Sequence, residues 1–125
     1  MFNVNFIVNF ENMENKRDII FYKKHFTKFF SEQPTIVKQK IAYVFKVVRT
    51  VEKVPEKFLK HLTDTDGLYE IRIEAKSNIY RIFCCFDKGK IIVLFNAYQK
   101  KTQRTDKKEI RKAQKLKNEY FKNKD

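Results

Sequence analysis

The sequence is poor in the residues that bend or break a chain. Two glycines and two prolines among 125 residues leave little material for long irregular loops, so the connections must be short and the fold compact. The only cysteines, Cys84 and Cys85, are adjacent. On an extended segment such neighbours point to opposite faces, close only a strained disulfide and lack metal-ligand spacing. That excludes a disulfide scaffold and fits two reduced thiols in a reducing compartment. Apolar runs such as residues 91–95 are far too short to span a bilayer. The first six residues lack a basic stretch and are interrupted by asparagines, so they do not read as a signal peptide. A soluble, cytoplasmic protein with no membrane partner is expected. There is no glycine-rich phosphate loop, no serine-centred nucleophile motif and no metal-ligand cluster, so neither a metal nor another cofactor is expected.

Acidic residues are also scarce. Fifteen Asp and Glu face 28 Lys and Arg, a net charge of +13. Such an imbalance favours nucleic acid, an anionic membrane or an acidic protein as partner, and the plain alternative is a lysine-rich solvated surface. The excess is uneven, since within residues 100–124 only Asp106, Glu109 and Glu119 oppose a long series of cations. What the chain has in quantity is phenylalanine, 13 residues within a 15% aromatic content. That is enough for a phenylalanine-rich core in one domain spanning residues 1–125.

Residues 3–10 alternate, with Val4, Phe6, Val8 and Phe10 on one side, and predict a half-buried strand. From Ile19, Tyr22, Phe26, Phe29 and Phe30 fall at helical spacing up to Pro34. Val37, Ile41, Val44, Phe45 and Val48 mark a second helix, making a helical hairpin with the first. Pro55 opens a short helical turn through Phe58, Leu59 and Leu62, followed by a turn cluster at residues 63–67. Three strands follow, at 68–74, 79–87 and 90–98. Their short links, one of them Asp87-Lys88-Gly89-Lys90, predict an antiparallel meander. Asp106 with Glu109 resembles a capping box for a C-terminal helix with Ile110, Ala113, Leu116, Tyr120 and Phe121 on its apolar side. The class is α+β: a small, mostly antiparallel sheet (the N-terminal strand plus the meander) packed by an N-terminal helical hairpin, with a C-terminal helix. The first strand is expected to pair in parallel, at an edge or in the middle of the sheet.

Arg72 and Arg81 sit singly inside apolar strands, where a guanidinium is costly to desolvate unless it faces a cleft, a carboxylate or a phosphate. Alternation groups Leu68, Glu70, Arg72 and Glu74 on one face and Arg81 with Ile79, Phe83 and Cys85. If the two arginines share a side, the segment Gln99-Lys100-Lys101 lies close by and several cations converge into a phosphate site. For Arg72 the competing explanation is an ion pair with Glu70 or Glu74. His25 and His61 read more readily as packed or solvated than as catalytic, with His61 kept as a candidate RNA contact.

The segments Asp66-Gly67-Leu68-Tyr69-Glu70-Ile71-Arg72, Asn78-Ile79-Tyr80-Arg81-Ile82-Phe83 and Tyr98-Gln99-Lys100-Lys101-Thr102-Gln103 resemble the HigB-type branch of the RelE/ParE toxin superfamily. The resemblance implies a toxin of a type II toxin–antitoxin system, which enters the ribosomal A site and cuts the mRNA held there. A cognate antitoxin, of the HigA-like helix-turn-helix kind, would neutralise it. It also implies catalytic roles for Arg81, Lys100, Lys101 and Arg72. Glu70 stands where RelE-type enzymes can carry another lysine, and their C-terminal catalytic tyrosine has no clear counterpart, leaving Tyr98 and Glu70 as candidates. Metal-free cleavage by the ribose 2′-OH needs proton removal, charge stabilisation and protonation of the leaving oxygen. Arg81 suits the second task, Lys101 or Lys100 a proton transfer, and Arg72 the orientation of the phosphate. Gln99, Gln103, Arg104, Lys107, Lys108 and Arg111 would hold mRNA or ribosomal RNA through phosphate contacts. Two alternatives stand beside this one: a ParE-type toxin that poisons gyrase, and a basic nucleic-acid-binding module.

Overall fold

The computed structural model describes residues 14–102 and 106–124. The strand expected at residues 3–10 lies outside them. The described elements run in the order β1 (Asp18–Phe21), α1 (His25–Ser31), α2 (Thr35–Thr50), β2 (Leu59–His61), β3 (Tyr69–Ala75), β4 (Asn78–Asp87), β5 (Ile91–Lys100) and α3 (Lys107–Asn123). They form an α+β fold with a five-stranded sheet ordered β1-β5-β4-β3-β2. Only β1 pairs in parallel, along β5; the β2–β3, β3–β4 and β4–β5 pairs are antiparallel.

The meander and the C-terminal helix form where the sequence pattern places them. Lys88 and Gly89 both take positive φ, 52° and 76°, in the tight turn that joins β4 to β5. The β3–β4 link does the same without glycine, at Lys76 (48°) and Ser77 (68°). Asp106 caps α3, its carboxylate accepting from the Glu109 amide at 3.4 Å.

Two elements differ from the sequence reading. The helix expected from Ile19 begins only at His25, because Asp18–Phe21 is a strand. β-branched Ile19 and Ile20 suit an extended backbone. Their ladder is completed by the Asp18 amide donating to Lys90 O (3.0 Å) and the Tyr22 amide to Leu94 O (3.0 Å). Lys23, at φ 60°, then turns the chain into α1. Tyr22, which the helical spacing grouped with Phe26, packs on the other side of the sheet against Phe95 and Tyr120. The second difference lies after Pro55. One helical turn forms, with the Phe58 and Leu59 amides donating to Pro55 O, but Leu59–His61 then runs extended along β3. Pairing satisfies backbone groups that would otherwise be bare on β3, among them the Arg72 amide, which donates to Phe58 O at 3.0 Å.

The sheet separates two apolar layers. On one face α1 and α2 cover Ile71, Ile73, Tyr80, Ile82, Cys84, Ile92 and Leu94. On the other α3 covers Leu68, Phe83, Cys85, Val93 and Phe95 through Ala113 and Leu116. Cys84 and Cys85 thus point to opposite faces, both buried and free. Burial pushes the Cys85 thiol up to about 11 and raises the Cys84 thiol well above its ordinary range, so neither is a nucleophile at neutral pH.

The C-terminus of α2 is closed by Arg17, whose guanidinium donates to Val48 O (3.0 Å), Val51 O (2.7 Å) and Glu52 O (2.6 Å), a cation against the negative end of a helix. The last strands hold α3. Asn96 Nδ2 donates to Glu109 O at 3.0 Å near its start, and Tyr120 Oη donates to Asp87 at 2.7 Å near its end. Among the described residues no helix is long and apolar enough to cross a membrane.

Candidate functional site

Because α3 runs only from Asn96 to Asp87 across its face of the sheet, the far half of that face is left to polar side chains. Their positions follow from the register. Arg72 on β3 is directly opposite Arg81 on β4, and Arg81 is opposite Tyr98 on β5. The next rung outward is Glu74, Ile79 and Lys100; the rung inward begins with Lys60 on β2 and continues through Glu70 and Phe83.

Lys100 joins this face because of an irregularity in β5. Ile82 pairs with Ala97 but Cys84 pairs with Leu94, so Phe95 and Asn96 together oppose Phe83. A bulge of this kind shifts the alternation by one. Without it, Val93 and Phe95 would be followed on the α3 face by Ala97, Gln99 and Lys101. With it, Tyr98 and Lys100 take that face, Ala97 joins the helical-hairpin layer, and Gln99 pairs with Tyr80 on the opposite face. Lys101 falls one residue past the strand end and is exposed.

Two carboxylates compensate the arginines. Arg81 Nε lies 3.3 Å from Glu70 Oε2, with side chains 14% and 6% exposed, yet Nε is buried without a hydrogen bond. The pair is therefore held by charge and proximity, without a hydrogen bond from Nε. Arg72 meets Glu74 at 3.4 Å in the open, an exposed pair worth about 0–1 kcal/mol. So the ion pair weighed against a catalytic Arg72 does form, but weakly.

Burial and the neighbouring Arg81 and Arg72 charges hold the Lys100 ammonium below its ordinary range, with Glu70 acting against them. Tyr98 stacks on Phe83 at 5.8 Å and 22°. Its hydroxyl is buried with no hydrogen-bond partner. Burial raises the phenol, and the Arg81 charge only partly offsets that, so Tyr98 stays protonated at neutral pH.

Glu70, Arg72, Glu74 and Arg81 line a groove of about 530 Å³ between the segment leading into β2 and the first turn of α3, where Ile110 forms part of the wall; Tyr98 and Lys100 follow on the same face of the sheet, outside that lining. Lys57 and Lys60 add cations and Glu56 a carboxylate, giving four cations against three carboxylates among the described lining residues. The groove is therefore a mixed-charge surface and less cationic than the sequence suggests. The stronger positive field lies next to it, where Lys107, Lys108, Arg111 and Lys112 are exposed on the first turns of α3. Gln103 and Arg104 lie outside the described residues. His61 borders the groove but pairs with Tyr69, on the hairpin side of β3, and its ring meets Tyr69 edge-on at 5.1 Å.

Sequence reasoning missed Lys60. The alternation Leu59-Lys60-His61-Leu62 ahead of the 63–67 turn was the available signal, and reading it as a helical turn concealed that Lys60 faces Glu70. No group of three or more His, Cys, Asp or Glu among the described residues is placed to hold a metal ion.

No curated protein matches this chain. Residues 28–118, from α1 to the last turns of α3, match the family model described as phage derived protein Gp49-like (DUF891). The match includes all the groove-lining residues and the bulged strand. The chain belongs to the Gp49-like family, a RelE-like toxin family of toxin–antitoxin systems, and a cognate antitoxin is the partner that this membership implies.

Proposed function

We propose that this protein is a cytosolic, single-domain toxin of the HigB type that cuts mRNA on the ribosome without a metal. The observation that carries the reading is the rung Arg72–Arg81–Tyr98 with Lys100 on the next rung, donors from three strands on one face of the sheet, the two arginines lining the groove. In the reaction, the 2′-oxygen attacks the adjacent phosphorus, the O2′–P bond forms and the P–O5′ bond breaks. The products are a 2′,3′-cyclic phosphate and a 5′-hydroxyl. Arg81, whose planar fork cannot deprotonate, takes the charge that develops on the phosphoryl oxygens. Arg72 orients the phosphate. Lys100, a stronger acid than an ordinary lysine, gives its proton to the leaving 5′-oxygen, and Glu70 receives the proton of the 2′-hydroxyl. The exposed cations of α3 hold ribosomal RNA, supplying affinity without base readout.

The near balance of charge in the groove favours a second reading, a non-catalytic relative that poisons gyrase. Induction in growing cells, followed by mapping of mRNA 5′ ends and assay of gyrase–DNA cleavage complexes, separates the two. New 5′-hydroxyl ends on translated messages support the nuclease. Accumulated cleavage complexes with intact messages reject it.

A further inference from the structure

The opposite end of the molecule carries a feature that the groove chemistry does not use. β1 is an edge strand, and among the described residues no strand pairs with its outer side. Ile20 and Phe21 on it are 40% and 48% exposed. Beside it, between α1 and α2, lies an apolar groove of about 360 Å³ lined by Phe21, Phe26, Phe30, Ile41 and Phe45. Among the described residues its charged lining members are Lys46 and Arg49, with no carboxylate. A concave aromatic surface next to the edge strand of the described sheet is the combination into which amphipathic segments dock.

We propose that this groove is the docking site for an amphipathic segment of the cognate antitoxin, one that inserts aliphatic or aromatic side chains and sets carboxylates against Lys46 and Arg49. The charge pattern chooses the occupant. A second copy of this chain would bring its own Lys46 and Arg49 and a net charge of +13 to the same interface, and like-charge juxtaposition opposes that. An acidic partner meets no such opposition. The inference rests on family membership and not on the nuclease reading. The groove lies on the helical-hairpin side of the sheet and at its β1 edge, whereas Arg72 and Arg81 lie on the α3 side toward β2. The two surfaces can therefore be perturbed separately.

The test is calorimetric titration of the full-length chain with its purified antitoxin, using Ala42→Trp, Lys46→Glu and Arg81→Ala. Ala42 and Lys46 are exposed on α2, so neither change disturbs the core, which unchanged circular-dichroism melts verify. Ala42→Trp fills the groove and should weaken binding about 30-fold or more, as loss of a central hot spot does. Lys46→Glu should weaken it about 10-fold and flatten its salt dependence. Arg81→Ala should bind as the unaltered chain does. Unchanged affinity in both groove variants would overturn the proposal. So would a concentration-dependent homodimer that Ala42→Trp abolishes, or destabilisation by Phe6→Asp together with undisturbed antitoxin binding in Ala42→Trp. The last two outcomes would assign the groove to a second copy or to this chain's own first residues.

Discussion

Replacing Lys100 and Lys101 one at a time tests the bulge and the chemistry together. The two lysines are adjacent in sequence and identical in charge, and only the phase shift at Phe95–Asn96 distinguishes them. Lys100 sits in the field of Arg81 and Arg72, which with burial makes its ammonium a better proton donor; Lys101 is exposed beyond the strand. Loss of a positioned general acid costs about 10²–10⁴ in rate, or about 2.7–5.4 kcal/mol at 1.36 kcal/mol per tenfold. Removing one exposed charge costs about 1 kcal/mol at most, roughly fivefold. Lys100→Ala should therefore cut messages at least about 100-fold more slowly in a reconstituted translation system, read by primer extension at saturating toxin. Lys101→Ala should lose no more than about fivefold. Lys100→Arg keeps the charge but cannot donate a proton at neutral pH, so it should retain ribosome binding and still fail to cut. Circular-dichroism melts of each variant separate a loss of cutting from a loss of folding. A dead Lys101→Ala beside an active Lys100→Ala would refute the assignment and the register behind it.

Other parts of the structure give further expectations. Ser77→Gly relieves a left-handed residue in the β3–β4 turn and should stabilise by about 1 kcal/mol, seen as a rise in Tm; a fall would show that Ser77 is not in that conformation. Tyr120 is held up at about 12 by burial and its bond to Asp87, and Cys85 at about 11 by burial. Both bind their protons more tightly folded than unfolded, so their contributions are complete below about pH 9 and are lost as pH rises toward 12. Tm should be level from pH 7 to 8.5 and fall above pH 9, with a smaller alkaline loss in Tyr120→Phe; a Tm that rises above pH 9 would contradict the burial of both groups. Lys107→Ala, Lys108→Ala and Arg111→Ala should each weaken RNA binding uniformly across sequences and lower the salt slope by roughly 0.7–0.9 for each phosphate left without its cation. An unchanged slope would remove these residues from the RNA surface.

The meander, α2 and α3 were legible because each carries several turns or rungs of its own periodicity, bounded by a turn, a proline or a cap. Alternation also raised the prospect that Arg72 and Arg81 share one face, and the register has them directly opposed. What alternation could not supply was the extra residue in β5, since a bulge leaves no mark in composition and is fixed by pairing across to β4. That is why Lys100 and Lys101 could not be told apart. β1 and β2 were misread for another reason: three or four extended residues are too few for a period, and both are strands because a neighbouring ladder needs partners. Glu70 could be named as a partner for an arginine, but its near-complete burial beside Arg81 follows from the sheet as a whole.

The most direct test uses ribosomes stalled with an mRNA whose A-site codon carries either ribose or 2′-deoxyribose at the scissile nucleotide. The account predicts cutting of the all-ribose message to a 5′-hydroxyl end, none of the 2′-deoxy message, and at least about 100-fold slower cutting by Arg81→Ala. Cutting of the 2′-deoxy message, or two intact messages at saturating toxin, would contradict it.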